Sequence, residues 1–151
     1  VEAIFQDPGL LLDQDLQLIL TQTDWVTNAE TPFPTYHFRI LQVESGLRLG
    51  FITLRAGLTL PIVHFMGQIG YRVLPAHRGH GYAARACRLL FPFARQHDLT
   101  ALWITCNPEN IASRKTCEHL GAEWVDIITA EEGSVAYQQG LRQKCRYRLY
   151  L

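Results

Sequence analysis

The stretch Ala101–Cys106 (Ala-Leu-Trp-Ile-Thr-Cys) is an uninterrupted apolar run, broken sharply by Asn107-Pro108. Short runs of this kind mark central strands covered on both faces, as in sheets crossed over by helices. Helix-like segments flank it. Residues 82–97 carry an inward stripe of Ala83, Ala86, Cys87, Leu90, Phe91 and Ala94, and residues 110–120 stop at Gly121. Glycine suits the left-handed position that closes a helix. Pro92 removes a backbone donor and predicts a kink near Arg88. A buried strand set between two helices places the chain among the α/β folds.

The remaining elements fit around that unit. Asp13 or Asp15 can cap a first helix whose stripe is Leu12, Leu16, Ile19 and Leu20. Residues 23–35, with Trp25, Pro32 and Pro34, read as a long connection. Segments 36–43 and 47–54 are strand-like and joined at Ser45-Gly46 in a hairpin. Residues 55–61 read as a loop broken by Gly57 and Pro61. A further strand spans about 63–73 and contains Gly67 and Gly70, which mark a bulge or the close approach of another backbone or a ligand. Residues 123–128 form another strand, and 145–151 alternate inward Cys145, Tyr147, Leu149 and Leu151 with outward Arg146, Arg148 and Tyr150. The order αββ–β–α–β–α–β–β describes one mixed-sheet α/β domain over residues 1–151.

Composition narrows the function classes. With 151 residues, 48% hydrophobic and 19% charged, the chain can build one sizeable core and is not disordered. No apolar run approaches the roughly 20 residues of a membrane span. The opening residues do not read as a secretion signal. Four scattered cysteines without a CxxC pair read as reduced, buried thiols of a cytoplasmic protein, not as a disulfide scaffold or zinc site.

The zero net charge conceals an asymmetry. Residues 1–44 hold seven acids and one base, Arg39, whereas 45–97 hold seven arginines and no acid. Such a field favours an anionic ligand, although solvated arginines or a nucleic-acid contact would give the same count. The most informative part of that stretch is Gly70-Tyr-Arg-Val-Leu-Pro-Ala-His-Arg-Gly-His-Gly-Tyr-Ala83. A strand ends, glycines permit tight turns, and a helix begins, so unpaired N–H groups and the helix dipole converge into an anion site. Arg78 adds a guanidinium able to grip phosphate. An ordinary glycine turn before a helix is the plain alternative. No Gly-Lys-Ser/Thr follows, which excludes a Walker loop. No acid stands about 20 positions on at a second strand end, which disfavours a dinucleotide fold. A nucleotide held mainly through its pyrophosphate remains.

These residues resemble the Gcn5-related N-acetyltransferase (GNAT) superfamily. The likeness covers roughly 47–128. The segment His77-Arg-Gly-His-Gly-Tyr-Ala83 is similar to that family's Arg/Gln-x-x-Gly-x-Gly/Ala loop for acetyl-CoA. The segment Asn107-Pro-Glu-Asn110-Ile-Ala-Ser113, with Leu120-Gly121-Ala122 after it, resembles the second signature in the branch related to ribosomal-protein N-terminal acetyltransferases. The fold so implied is a mostly antiparallel mixed sheet flanked by helices, with two splayed central parallel strands. The implied reaction is direct transfer of acetyl from acetyl-CoA, as co-substrate, to a primary amine of a small molecule, peptide or protein N-terminus. A non-catalytic acyl-CoA sensor is the alternative.

The resemblance also implies roles. Tyr71, Arg72 and Val73 pair with the pantetheine arm, and one of their N–H groups serves the developing oxyanion. Amides of Arg78, Gly79, His80, Gly81, Tyr82 and Ala83 hold the pyrophosphate. Asn107 marks the mouth of the splay. Asn110 binds pantetheine or simply caps its helix. Cys117 stands where many relatives have an acid tyrosine, so Ser113 is the expected partner of the leaving thiolate, with Cys117 a core residue. His64 is the candidate base, with Glu109 or water as alternatives. His77 and His80 lack the further ligands a metal needs. Trp25, Phe33, Tyr36 and His37, with the acids before residue 45, are expected to form the acceptor side. No nucleic-acid or membrane partner is expected, and a homodimer is compatible with such folds.

Overall fold

The computed structural model describes residues 4–27, 29–59 and 62–151, without the side chains of Val63 and His64. Eight strands form one sheet in the order β1-β2-β3-β4-β5-β6-β8-β7. They are β1 (Leu11–Asp13), β2 (Leu16–Val26), β3 (Phe33–Gln42), β4 (Arg48–Arg55), β5 (Ile69–Val73), β6 (Ala101–Cys106), β7 (Glu123–Thr129) and β8 (Gln143–Tyr150). Helices α1 (Tyr82–Gln96) and α2 (Ile111–His119) follow β5 and β6, and a short α3 (Val135–Gln138) precedes β8. Every pairing is antiparallel except β5 with β6.

The expected first helix is a hairpin of strands instead. Leu16 and Leu18 are buried with Gln17 and Ile19 turned outward, a period of two and not of 3.6, up to the irregularity between Leu20 and Gln22. Asp13-Gln14-Asp15 makes the turn, with Gln14 at a φ of 53°. The leucines fit both periods. The β-branched and aromatic residues that follow (Thr21, Thr23, Trp25, Val26) and the free edge of β3 decide for the strand. The expected long connection over 23–35 is accordingly mostly strand.

Two further expectations change in detail. The segment 63–73 is not one strand: a π-helical turn, Ile62–Met66, precedes β5. Gly67 between them has a φ of 75°, and a Cβ there would lie 2.9 Å from the Trp103 carbonyl, so β6 can approach only a glycine. Strand β6 is buried on one face only. Leu102, Ile104 and Cys106 face the helices, while Trp103 on the other face lies under the guanidinium groups of Arg146 and Arg148. The helix 82–96 continues through the exposed Pro92, and it buries Phe93 in place of the expected Phe91.

Both long helices pack on the same face of the sheet. The core between them gathers Leu16, Leu18, Tyr36, Phe38, Ile40, Ile52, Leu54, Ile69, Leu90, Phe93, Leu102, Ile104 and Tyr147. Strands β5 and β6 touch at a single register pair, Ile69 with Ile104, and then separate. Gln68 ties the closed end of this splay. Fully buried, it accepts from Trp103 N at 2.6 Å through its side chain and donates its own backbone N–H to Trp103 O at 2.7 Å. Its amide nitrogen also donates to Gly57 O at 3.1 Å. Among the described residues no helix is long and apolar enough to cross a membrane.

Candidate functional site

Where β5 and β6 part, a cleft of about 460 Å³ opens between the end of β5, the N-terminus of α1 and the first turns of α2. Its β5 wall is Tyr71, Arg72 and Val73, and its floor is the 77–83 loop. Strand β5 pairs with β4 along its whole length, but its β6-facing edge makes no ladder bond to β6 beyond Ile69. That edge is free to pair with an extended, amide-bearing ligand.

Helix α1 begins at Gly81, which has a φ of 73° and provides no side-chain cap. A Cβ at Gly81 would meet no protein atom within 4 Å. Glycine is therefore required by its left-handed backbone and not by protein packing, and the space before the first-turn amides stays open. No acid occupies that turn. Uncapped N–H groups at the positive end of the dipole are suited to an anion. Arg78 donates from Nε to Val73 O at 3.0 Å, which holds the loop against the strand end.

At the far side of the cleft stand two hydroxyls. Tyr71 Oη lies 2.8 Å from Ser113 Oγ and 4.0 Å from Cys117 Sγ. Burial pushes the Tyr71 phenol well above its ordinary range, with the nearby thiols adding to the shift. Burial likewise pushes the Cys117 thiol up, to about 12. Both stay protonated at neutral pH, so the phenol acts only as a neutral hydrogen-bonding group. Asn110 caps α2 by accepting from Ser113 N at 3.2 Å, which fixes the serine's position while Asn110 itself lines the cleft.

The structure thus brings together Tyr71, Arg72, Val73, Arg78, Gly79, His80, Gly81, Tyr82, Ala83, Asn110 and Ser113. It does not bring Asn107 to the cleft wall; its carbonyl accepts from Asn110 N at 2.9 Å and shapes the turn into α2. Glu109 is exposed in that same turn. The side chain of His64 lies outside the described residues. His77 also lines the cleft, as do Lys115 and Thr116, which the sequence motifs did not single out. The α2 pair was legible from spacing, since positions three on from Ala112 and Ser113 share their helix face.

The expected acceptor side is not assembled as anticipated. Tyr36 and Phe33 are core residues. Asp13 and Asp15 are held by Arg85 at 2.9 and 2.7 Å, and Asp24 lies 2.7 Å from His37 Nε2. The basic middle third is dispersed too. Arg85 binds those acids and Arg88 donates to His119 O, while Arg72 and Arg78 line the cleft. A second concavity of about 370 Å³ contains Glu30 and Phe33 but lies at the C-terminal end of α1, near His97. The length of α1, about 22 Å at 1.5 Å per residue, separates it from the cleft. All four cysteines are buried and free.

A family model described as an acetyltransferase (GNAT) domain matches residues 12–123. No curated protein sequence matches the chain. Among solved structures, a candidate ribosomal-protein-serine acetyltransferase from Vibrio cholerae superposes with a TM-score of 0.66 at 16% identity, over 97% of this chain and 100% of that one. An acetyltransferase from Salmonella typhimurium that modifies the N-terminal serine of 50S subunit protein L7/L12 gives a TM-score of 0.57 at 16% identity, over 78% and 64%. The microcin C7 self-immunity acetyltransferase MccE, in complex with acetyl-CoA and AMP, gives 0.55 at 16% identity, over 78% and 61%. At these identities the likeness is one of fold.

Proposed function

Because the chain belongs to the acetyltransferase (GNAT) domain family, we propose that its cleft holds acetyl-CoA across the β5–β6 splay and that it acetylates the N-terminal amine of a polypeptide. GNAT acetyltransferases use acetyl-CoA, and the chain is an N-acetyltransferase of that class. The observation that carries the site is a single cleft with an uncapped helix N-terminus at one end and the Tyr71–Ser113 hydroxyl pair at the other. A ligand with a pyrophosphate, an amide-bearing arm and a reactive thioester has matching partners along that path. The Salmonella acetyltransferase of like fold modifies an N-terminal serine, which supports a polypeptide acceptor here.

Acetyl-CoA supplies the activated acetyl group; the chain's own residues supply position and hydrogen bonds. First-turn amides of α1 and the open edge of β5 orient the bound molecule, with Lys115 adding positive charge on the α2 side. An N–H of residues 71–73 offers a donor where negative charge develops on the thioester oxygen. With acetyl-CoA bound, Ser113 would be the cleft hydroxyl available to protonate the departing sulfur. Tyr71, kept neutral by burial, shares a hydrogen bond with Ser113 Oγ and so orients the serine hydroxyl.

Thermal unfolding with and without acetyl-CoA tests the site. Saturation at 100 times the dissociation constant adds about 2.7 kcal/mol, a rise of roughly 5–10 °C for a domain of this size. Gly81→Glu places a carboxylate before the amides and abolishes the rise. No shift in the native protein refutes the site. A shift with no product from any N-terminal peptide would overturn the polypeptide acceptor.

A further inference from the structure

The sheet face opposite α1 and α2 carries no long helix, because the segment expected to be a first helix is strand. Cross-strand register sets Arg39 opposite Phe51 and Phe51 opposite Arg72, and all three side chains are exposed. Arg48 stacks on the Phe51 ring, 5.1 Å from its centroid. Four residues beyond Phe51 on the same face of β4, Arg55 extends over Gly70, and its side chain bonds a carbonyl, Gly67 O at 3.4 Å. Lys144 stands on the same face of β8 as Arg146 and Arg148, which sandwich Trp103.

The carboxylates on this face are engaged: Asp126 by Arg146, Glu123 by Arg148, and Asp24 by His37. Among the described residues no carboxylate lies within ion-pair distance of Arg39, Arg55, Arg72 or Lys144, although Glu109 acts on Lys144 from farther off. Arg55 and Lys144 are half-buried, and desolvation pushes the pKa of each down. Partly desolvated cations with no ion-pair partner, Arg55 above all, are costly unless a ligand supplies the counter-charge. Arg72 belongs both to the exposed row and to the cleft wall, so the face runs continuously into the site.

We propose that this cationic, aromatic sheet face docks the acidic polypeptide whose N-terminal amine is acetylated in the cleft. This rests on the amine-acetylation reading above. A second copy of the chain is disfavoured, since like charges would oppose one another. A nucleic acid would match the charge but brings no basic aliphatic amine to the thioester. An acidic polypeptide supplies both, with its carboxylates on the arginines, its backbone and apolar groups on Phe51 and Trp103, and its terminus at the splay.

The test is acetyl transfer to three peptides that share their first residue and differ in the following eight, which are acidic, neutral or basic. The proposal expects kcat/KM for the acidic peptide to exceed that for the neutral one by about tenfold or more at low salt, and to fall toward it as salt rises. Arg39→Glu is expected to remove about five- to tenfold of the acidic preference and leave the neutral peptide unchanged. Equal rates, a basic preference, or an acidic preference that survives both salt and Arg39→Glu overturns it. If no peptide is acetylated although acetyl-CoA binds, the fluorescence of Trp103 in a Trp25→Phe, Trp124→Phe variant, titrated with the acidic peptide and with a single-stranded oligonucleotide, decides. Binding of the peptide supports the face, and binding of the oligonucleotide alone, or of neither, overturns it. Failure to bind acetyl-CoA condemns the underlying reading instead.

Discussion

Replacing Tyr71 with phenylalanine removes one oxygen and keeps the ring that fills the space between β5, α1 and α2. The hydrogen bond lost is short, 2.8 Å, and joins two neutral groups in a half-buried setting. Its net worth to stability is about 0.5–1.5 kcal/mol, so the melting temperature falls by roughly 1–6 °C at about 2–4 °C per kcal/mol. The catalytic effect has a separate source. Without the phenol, Ser113 Oγ loses the hydrogen-bond partner that sets its direction, and about 1.4 kcal/mol of lost alignment in the transition state corresponds to a tenfold lower kcat. The phenol makes no bond to the β5 edge or the α1 amides, so the KM for acetyl-CoA stays within about twofold of the native value, a limit set by the ground-state logic of binding. Steady-state kinetics with varied acetyl-CoA, together with thermal unfolding, separates the two effects. Ser113→Ala supplies the control: if Tyr71 acts through the serine, the double variant is no slower than Ser113→Ala alone. A Tyr71→Phe enzyme with lowered stability and unchanged kcat would refute this reasoning and reduce Tyr71 to packing.

Gln68→Leu keeps the volume of a fully buried side chain but strands Trp103 N–H and the Gly57 carbonyl. At about 1–3 kcal/mol for each orphaned group, denaturant unfolding should show a loss of roughly 2–5 kcal/mol, and an unchanged midpoint would contradict the assigned bonds. Alkaline pH should destabilise the protein through Cys117. Its thiol is pushed up by burial from 9.0 to about 12, so between these values the unfolded chain releases a proton that the folded chain retains. Stability from this group is complete below pH 9 and declines as pH rises, by up to about 1.4 kcal/mol per pH unit. Urea midpoints from pH 7 to 11 should flatten in Cys117→Ala, and a slope identical in both proteins would sink the assignment.

Much of the site was legible in one dimension because its parts are local. A glycine that must adopt a positive φ, a helix starting just behind it, and an asparagine three residues before a serine are all relations within one turn of chain. They give an uncapped helix N-terminus at Gly81 and a capped one at Asn110 whatever the rest of the fold does. The apolar run at 101–106 and the alternation after Cys145 likewise announced strands, since a period of two is a property of the segment itself.

What needed the third dimension was every relation between segments. The leucines of this segment offer a helical stripe (Leu12, Leu16, Ile19, Leu20) and a strand alternation (Leu16, Leu18) alike, and the free edge of β3, with the β-branched and aromatic residues that follow, selected the strand. That choice left one sheet face without a helix. The approach of the Tyr71 phenol to Ser113 spans 42 residues of sequence. It follows from the parity of β5, which turns Tyr71 toward the helices and Gly70 and Arg72 away from them. Charge composition announced seven arginines in the middle third, but pairing decided their fates. Arg85 is neutralised by Asp13 and Asp15 across 70 residues or more, whereas Arg72 is aligned with Arg39 through Phe51 by register alone. Local sequence carries backbone conformation because φ, ψ and hydrogen-bond caps are short-ranged. Which side chains meet is set by strand order and parity, and those exist only once the sheet has formed.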